Sequence, residues 1–256
     1  MIAKTAHVDG ATLSYMDIGR GTPLFCLHGG LGIDARSLLV PGIVGLADRG
    51  VRLIVPDQRG HGRSSRASDA EYTHDTWVHD ARALAEHLRL ARLAVLGHSY
   101  GGFLALEYAI RWPESLTHLV LVGTSAGPLT VRGEPVEDDE ELRERFRAVW
   151  PCFFAHGDKH WDLFEALSFS AAPYNAAFMR ELPAYDVRDR VGRVTAPALL
   201  IVGRSDHYLA HMEWLAAAMP NATLRVIDDV GHMPFLEAPA EFSDLVAAFL
   251  LRDANV

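Results

Sequence analysis

The chain has 256 residues, 49% of them apolar and 22% charged, which suits one large globular domain with a sizeable core or two small ones. Its formal net charge is −9, and Lys4 and Lys159 are its only lysines. There is no basic stripe or arginine-rich tail, so nucleic acid is not the expected partner. No apolar run reaches the length of a membrane span, and residues 1–10 lack the apolar stretch of a secretion signal. Cys26 and Cys152 are the only cysteines; two reduced, buried thiols are expected rather than a disulfide, which points to the cytoplasm.

In chain order, residues 5–8 and 12–18 read as two strands joined by Asp9-Gly10, a strong short hairpin signal. Residues 23–27 form a strand-like run ending at His28-Gly29-Gly30-Leu31-Gly32. The pattern predicts a helix over 38–48, stopped by Gly50, then an apolar strand over 51–55. A glycine-rich loop, Asp57 to Ser64, follows, and 76–90 carries apolar residues at helical spacing. The apolar run 93–96 is cut off by Gly97, and a helical pattern begins at Phe103. Further strands are expected at 119–122, 198–202 and 224–227, with helices centred near Glu107, Met212 and Phe242. Strands apolar on both faces, alternating with helices, predict an α/β fold with a parallel sheet covered on both sides.

The alternation breaks once, over 126–190. Here the sequence is first acidic (Glu134, then 137–141) and then aromatic, with helix-like pieces and no convincing strand. This reads as a helical cap, 126–190, inserted after the sixth strand into a core made of 1–125 and 191–256.

Ser99 lies at the centre of Gly97-His98-Ser99-Tyr100-Gly101-Gly102, between a strand and a helix. A serine on so tight a turn is pushed toward strained backbone angles, and the flanking glycines remove clashes where the chain passes close. Its hydroxyl then stands clear at the C-terminal edge of the sheet, where it can act as a nucleophile if a base takes its proton. Thirteen histidines are available. His232, in Val230-Gly231-His232-Met233-Pro234, follows the last strand and can fold back over the serine. His98 is adjacent to the serine and expected to point away. His28 and His61 fall in glycine-rich loops and read as structural, and His207 and His211 as the start of a helix. For the acid that orients the base, the loop after 119–122 holds no carboxylate, whereas Gly203-Arg204-Ser205-Asp206 ends the next strand. Asp206 is therefore the candidate, with Asp228 and Asp229 as alternatives. Two backbone donors for an oxyanion are expected at the N–H of Tyr100, on the elbow helix, and of Gly30. Asp57, Arg59 and His61 read as loop ties. His156, Asp158 and His160 have partial metal-ligand spacing but no third strong ligand, so no metal is expected.

The motifs His28-Gly29-Gly30, Asp57-Gln58-Arg59-Gly60-His61-Gly62, Gly97-His98-Ser99-Tyr100-Gly101-Gly102, Gly203-Arg204-Ser205-Asp206 and Gly231-His232 together resemble the α/β-hydrolase superfamily. The resemblance runs from about Val8 to Leu251 and implies a mostly parallel eight-stranded sheet with the catalytic order Ser99, Asp206, His232. His-Gly-Gly and Asp-Gln-Arg-Gly are similar to the proline iminopeptidase-like branch. That branch implies cleavage of an N-terminal proline, with acidic cap residues holding the free amine. The chain departs from it at Leu31, where the branch usually has proline, and offers no clearly matching amine-binding carboxylate.

The expected function is a cofactor-free serine hydrolase of an ester, lactone or amide, acting on a small molecule or short peptide. A proline iminopeptidase is the alternative in the same class, and a non-catalytic ligand-binding protein the alternative in another. The acidic run has a bland reading as well: a solvated helix start, with Asp139–Arg143 and Glu141–Arg145 spaced for i,i+4 pairs.

Overall fold

The computed structural model describes residues 2–129, 134–157 and 159–252. Eight strands, β1 (Lys4–Val8), β2 (Ala11–Ile18), β3 (Thr22–Leu27), β4 (Val51–Pro56), β5 (Leu93–His98), β6 (Leu116–Val122), β7 (Ala198–Gly203) and β8 (Ala222–Ile227), form one sheet in the order β1-β2-β4-β3-β5-β6-β7-β8. β1 pairs with β2, and β2 with β4, antiparallel; every other pairing is parallel. The Asp9-Gly10 turn has φ of 44° and 76°, both positive, as a two-residue hairpin matched to the strand twist requires.

Alternate residues of the central strands enter two separate apolar layers. Phe25, Leu27, Val95 and Leu121 face one layer, while Leu24, Cys26, Leu96 and Val122 face the other. This is the two-residue period of a strand with both faces covered. The first layer is closed by the helices His74–His87, Tyr100–Arg111 and Leu209–Ala218, the second chiefly by Pro239–Leu250. Each fully buried Leu, Val or Phe contributes roughly 1.5–3 kcal/mol relative to exposure.

The helix expected over 38–48 is instead three short pieces: 3-10 turns at Ala35–Leu38 and Gly45–Arg49 flanking an α-turn at Pro41–Val44. Pro41 is the reason. It offers no N–H to a preceding turn and forces Val40 into an extended conformation, φ −123° and ψ 162°. Cys152 also departs from expectation: both cysteines are free, but only Cys26 is buried.

The loop 57–64 is a tie between neighbouring segments. Buried Arg59 donates from Nε and Nη2 to the two carboxylate oxygens of buried Asp80 at 2.8 and 2.6 Å, and also reaches Glu71 and the Asp9 carbonyl. Asp57 accepts from the N–H groups of Ala35 and Arg63. Removing the guanidinium leaves an unpaired carboxylate in the interior. Arg59→Ala is therefore expected to lower stability by about 3–5 kcal/mol. Urea unfolding at neutral pH measures it, and a loss under about 1 kcal/mol would show that water entry or protonation of Asp80 offsets the lost pair.

Between β6 and β7 the described residues form helices at Asp139–Val149, Trp161–Ala166 and Ala171–Ala176 with shorter turns, and one isolated bridge, Ile33 to Phe169, ties them to the sheet side. Trp150, Phe154, Phe164 and Phe169 are buried in ring-to-ring contacts that pack this layer.

Candidate active site

Ser99 sits between β5 and the helix Tyr100–Arg111 with φ 52° and ψ −117°, a strained conformation for a residue with a side chain. The strain is held from several directions. Ser99 N–H donates to the Val122 carbonyl at 2.8 Å, and Ser99 O accepts from Gly102 N–H at 2.9 Å and from the Thr124 hydroxyl at 2.8 Å. A Cβ at Gly97 would lie 2.3 Å from the Gly101 carbonyl oxygen, and one at Gly101 would lie 2.1 Å from that of Leu27. The expected steric role of both glycines is thus met.

The loops leaving β7 and β8 bring Asp206 and His232 together. His232 Nδ1 and Asp206 Oδ2 are 3.0 Å apart, and both residues are buried. The other carboxylate oxygen, Oδ1, accepts from Tyr208 N–H at 3.0 Å and faces His207 Nδ1 at 3.4 Å. Burial by itself pushes the Asp206 carboxyl up, but His232, the Tyr208 N–H and His207 together hold it below the ordinary carboxylate value. His232 N–H donates to the Phe153 carbonyl at 2.7 Å, so the base loop is fastened to the helical segment between β6 and β7. Asp228 and Asp229 lie elsewhere: they are exposed and paired with Arg204 and His156.

His98 differs from expectation. Its ring does not turn away from the site but packs 4.7 Å from that of His232, and its Nε2 meets the His232 carbonyl at 3.0 Å. Since that carbonyl accepts, Nε2 carries the proton, and burial depresses the His98 pKa to about 3. His28 and His61 tie loops, accepting at Nε2 from the N–H groups of Gln58 and Gly32. His207 precedes the helix Leu209–Ala218 and lines the cavity, whereas His211 lies on that helix and meets the Ser125 hydroxyl. Asp158 lies outside the described residues.

Two contributors escaped the sequence reading. Gly123, with φ 50°, passes so close to the pair that a Cβ there would lie 2.6 Å from Asp206 Oδ2 and 2.9 Å from His232 Nδ1. Its only sequence signal was a glycine directly after a strand. Tyr208, two residues beyond Asp206, stacks on His232 with centroids 5.3 Å apart and planes 23° apart.

A cavity of about 510 Å³ opens above these groups. Gly30, Leu31, Ser99, Tyr100, Tyr208 and His232 form its floor, and Phe146, Phe153, Tyr174 and Phe178 supply apolar walls from the helical segment. Glu134 and Arg145 are its charged wall residues. Arg145 pairs with Glu141 at 2.9 Å and donates to the Glu134 carbonyl. Arg143 pairs with Glu165 rather than with Asp139, while Asp138 and not Asp139 caps the helix. Among the described residues, Asp206, His207 and His232 are the one cluster with metal-ligand spacing.

A doubly wound sheet with a serine elbow and an acid–histidine pair on the loops after its last two strands defines an α/β-hydrolase fold. The chain belongs to the alpha/beta hydrolase family, whose model matches residues 24–245. It is 31% identical to a 2-hydroxymuconate semialdehyde hydrolase of Pseudomonas sp. (strain CF600), over 97% of this chain and 94% of that one. It is 26% identical to a proline iminopeptidase of Heyndrickxia coagulans, over 95% and 96% of the two chains. Among solved structures, an esterase from Exiguobacterium antarcticum superposes with a TM-score of 0.79 at 25% identity, covering 97% of this chain and 99% of that one. Among the described residues, no helix is long and apolar enough to cross a membrane.

Proposed function

We propose that the protein is a cofactor-free serine hydrolase that cleaves an ester, lactone or amide through an acyl-enzyme. The observation that carries this reading is the buried Asp206–His232 pair, 3.0 Å apart, whose His232 lines a largely apolar cavity together with strained Ser99. His232 takes the Ser99 proton as Oγ attacks the substrate carbonyl, and Asp206 fixes the tautomer and stabilises the imidazolium. The developing oxyanion is received by the N–H groups of Tyr100 and Gly30, where fixed donors need no reorganisation. Collapse expels the leaving group with the proton from His232, and water repeats the sequence on the acyl-enzyme. Residues 126–190 act as a cap over a core of 1–125 and 191–256, and Phe146, Phe153, Tyr174 and Phe178 give it preference for a partly apolar acyl or leaving group.

The proline iminopeptidase reading has one observation in its favour, an acidic residue, Glu134, among those lining the cavity. Against it, the Arg145 guanidinium lines the same cavity, where it would repel a substrate ammonium. Glu141 is engaged with Arg145, and Asp138 with the helix start.

The test has two parts. An alkyl fluorophosphonate is expected to label Ser99 and stop hydrolysis, with no label on Ser99→Ala; label on another residue sinks the assignment. A short-chain aryl ester is then expected to exceed an unblocked prolyl anilide in kcat/KM, with N-acetylprolyl anilide and 2-hydroxymuconate semialdehyde measured alongside. A free-amine proline substrate that wins by about a hundredfold, which is within the reach of one buried charge pair, would make the peptidase the function.

A further inference from the structure

We propose that Tyr208 is a catalytic residue of this site, its phenol donating a hydrogen bond to the departing atom of the substrate. The inference rests on the serine-hydrolase reading and extends it. Sequence position gives no hint of it, because Tyr208 falls between His207 and His211 at the start of a helix pattern. The structure places it against all three candidate catalytic residues. Its backbone N–H holds Asp206 Oδ1 at 3.0 Å, its ring lies nearly parallel to His232, and its hydroxyl lies near the Ser99 side chain, with which it shares the cavity floor. The residue is 95% buried by its neighbours, with 5% of its surface exposed, yet it lines the cavity.

These contacts determine where the phenol can act. His232 must reach Ser99 Oγ first and the leaving atom second, so the leaving group departs on the side of the tetrahedral centre that His232 occupies. A hydroxyl carried on a ring stacked over His232, and sharing the cavity floor with Ser99, lies on that same side. When Oγ bonds to the carbonyl carbon and its proton passes to His232, the phenol O–H donates to the neighbouring leaving atom. The C–O or C–N bond then breaks, and the proton that reaches the leaving atom is the one His232 carries. Tyr208 keeps its own proton. Burial and the Asp206 charge push its ionisation up, so it remains a donor throughout the working range.

A donor aimed at the leaving atom is worth more as more negative charge develops there, which separates this role from a merely structural one. The experiment compares wild type with Tyr208→Phe, which keeps the stacked ring, on acetyl esters whose leaving groups run from nitrophenol to simple alcohols. kcat/KM reports acylation, the step in question. For nitrophenyl acetate the expected loss is about 3-fold or less; for alkyl acetates it is about 100-fold, the lower end of the range for removing one preorganised donor. The leaving-group dependence of kcat/KM therefore becomes steeper in the variant. An equal loss across the series, or none, overturns the proposal and leaves Tyr208 as packing for His232. Fluorophosphonate labelling of wild-type Ser99, run in parallel, keeps the two readings apart. A labelled Ser99 with an equal loss overturns only the role of Tyr208, whereas an unlabelled Ser99 overturns both. Tyr208→Leu, which removes ring and hydroxyl together, is expected to add a uniform loss on top of the leaving-group effect, and a profile identical to that of Tyr208→Phe would show that the ring contributes nothing.

Discussion

Asp206→Asn is expected to lower kcat by about 10⁴-fold, as replacing the acid of such a triad does elsewhere. The local geometry says which way the new amide turns. Oδ1 of Asp206 accepts from Tyr208 N–H at 3.0 Å, a backbone donor that cannot move aside, so the amide oxygen takes that place. The NH₂ group then faces His232 Nδ1 and requires it to accept. The ring proton is driven to Nε2, the atom that must receive the Ser99 proton, and the base is blocked by the wrong tautomer. The His232 carbonyl, held at 3.0 Å by His98, and its N–H, held at 2.7 Å by Phe153, fix the backbone and leave the ring little freedom to flip. Single-turnover and steady-state rates on an aryl ester measure the effect, with circular dichroism to show that the variant is folded. A kcat within a few-fold of wild type would remove Asp206 from the mechanism. Asp228 and Asp229 would be poor replacements, each exposed and already paired.

The parts of this site that are legible in the sequence are those with a local steric cause. The elbow can be read because Gly97, Ser99 and Gly101 must stand at fixed spacing wherever a strand turns so sharply into a helix. Asp206 and His232 can be read because a parallel sheet delivers its loops to one edge, so position after a strand substitutes for knowledge of contacts. What cannot be read depends on segments far apart in the chain. His98 meets His232 across 134 positions, and the close approach that Gly123 permits is set by Asp206 and His232 arriving beside it. The same distinction runs through the charges. Glu141–Arg145 forms as its spacing predicts, whereas Arg143 leaves Asp139 for Glu165 on another element, which no i,i+4 rule could foresee. For the central strands apolar runs mark the positions, although β6 and β8 begin three and two residues before theirs, at Leu116 and Ala222. Over 38–48 the helix-like apolar pattern yields to Pro41, whose missing N–H decides the local structure.

Acid is expected to unfold this protein well before its carboxylates are titrated. His61, His74 and His98 are buried, and desolvation pushes each down to about 3; burial lowers His28 as well. In the unfolded chain these rings return to about 6.5. The folded value lies below the unfolded one, so their contribution to stability is complete above about pH 6.5 and is lost as the pH falls toward 3, where the unfolded chain binds protons that the folded one refuses. At pH 5 the loss is about 2 kcal/mol for each histidine, and three together amount to a large share of the roughly 5–15 kcal/mol that holds a domain folded. Asp17, held at about 2 by Arg52 with Lys4, follows the same sign but acts only below its ordinary range, so it does not confuse the window. Urea unfolding at pH 7.5 and pH 5 should therefore give widely separated midpoints, and an unchanged midpoint would mean that these rings take up protons without leaving the fold. His74 offers the sharpest test of cause. Its ring packs among Trp77, Tyr100 and Tyr185, within 5.1–6.5 Å of each centroid, in a site that a phenyl ring can fill. His74→Phe is expected to keep the stability at pH 7.5 within about 1 kcal/mol, as shape-conserving core changes do. It should also reduce the loss on going to pH 5 by about 2 kcal/mol. If the variant loses as much on acidification as wild type, His74 is not one of the groups that makes the fold acid-labile.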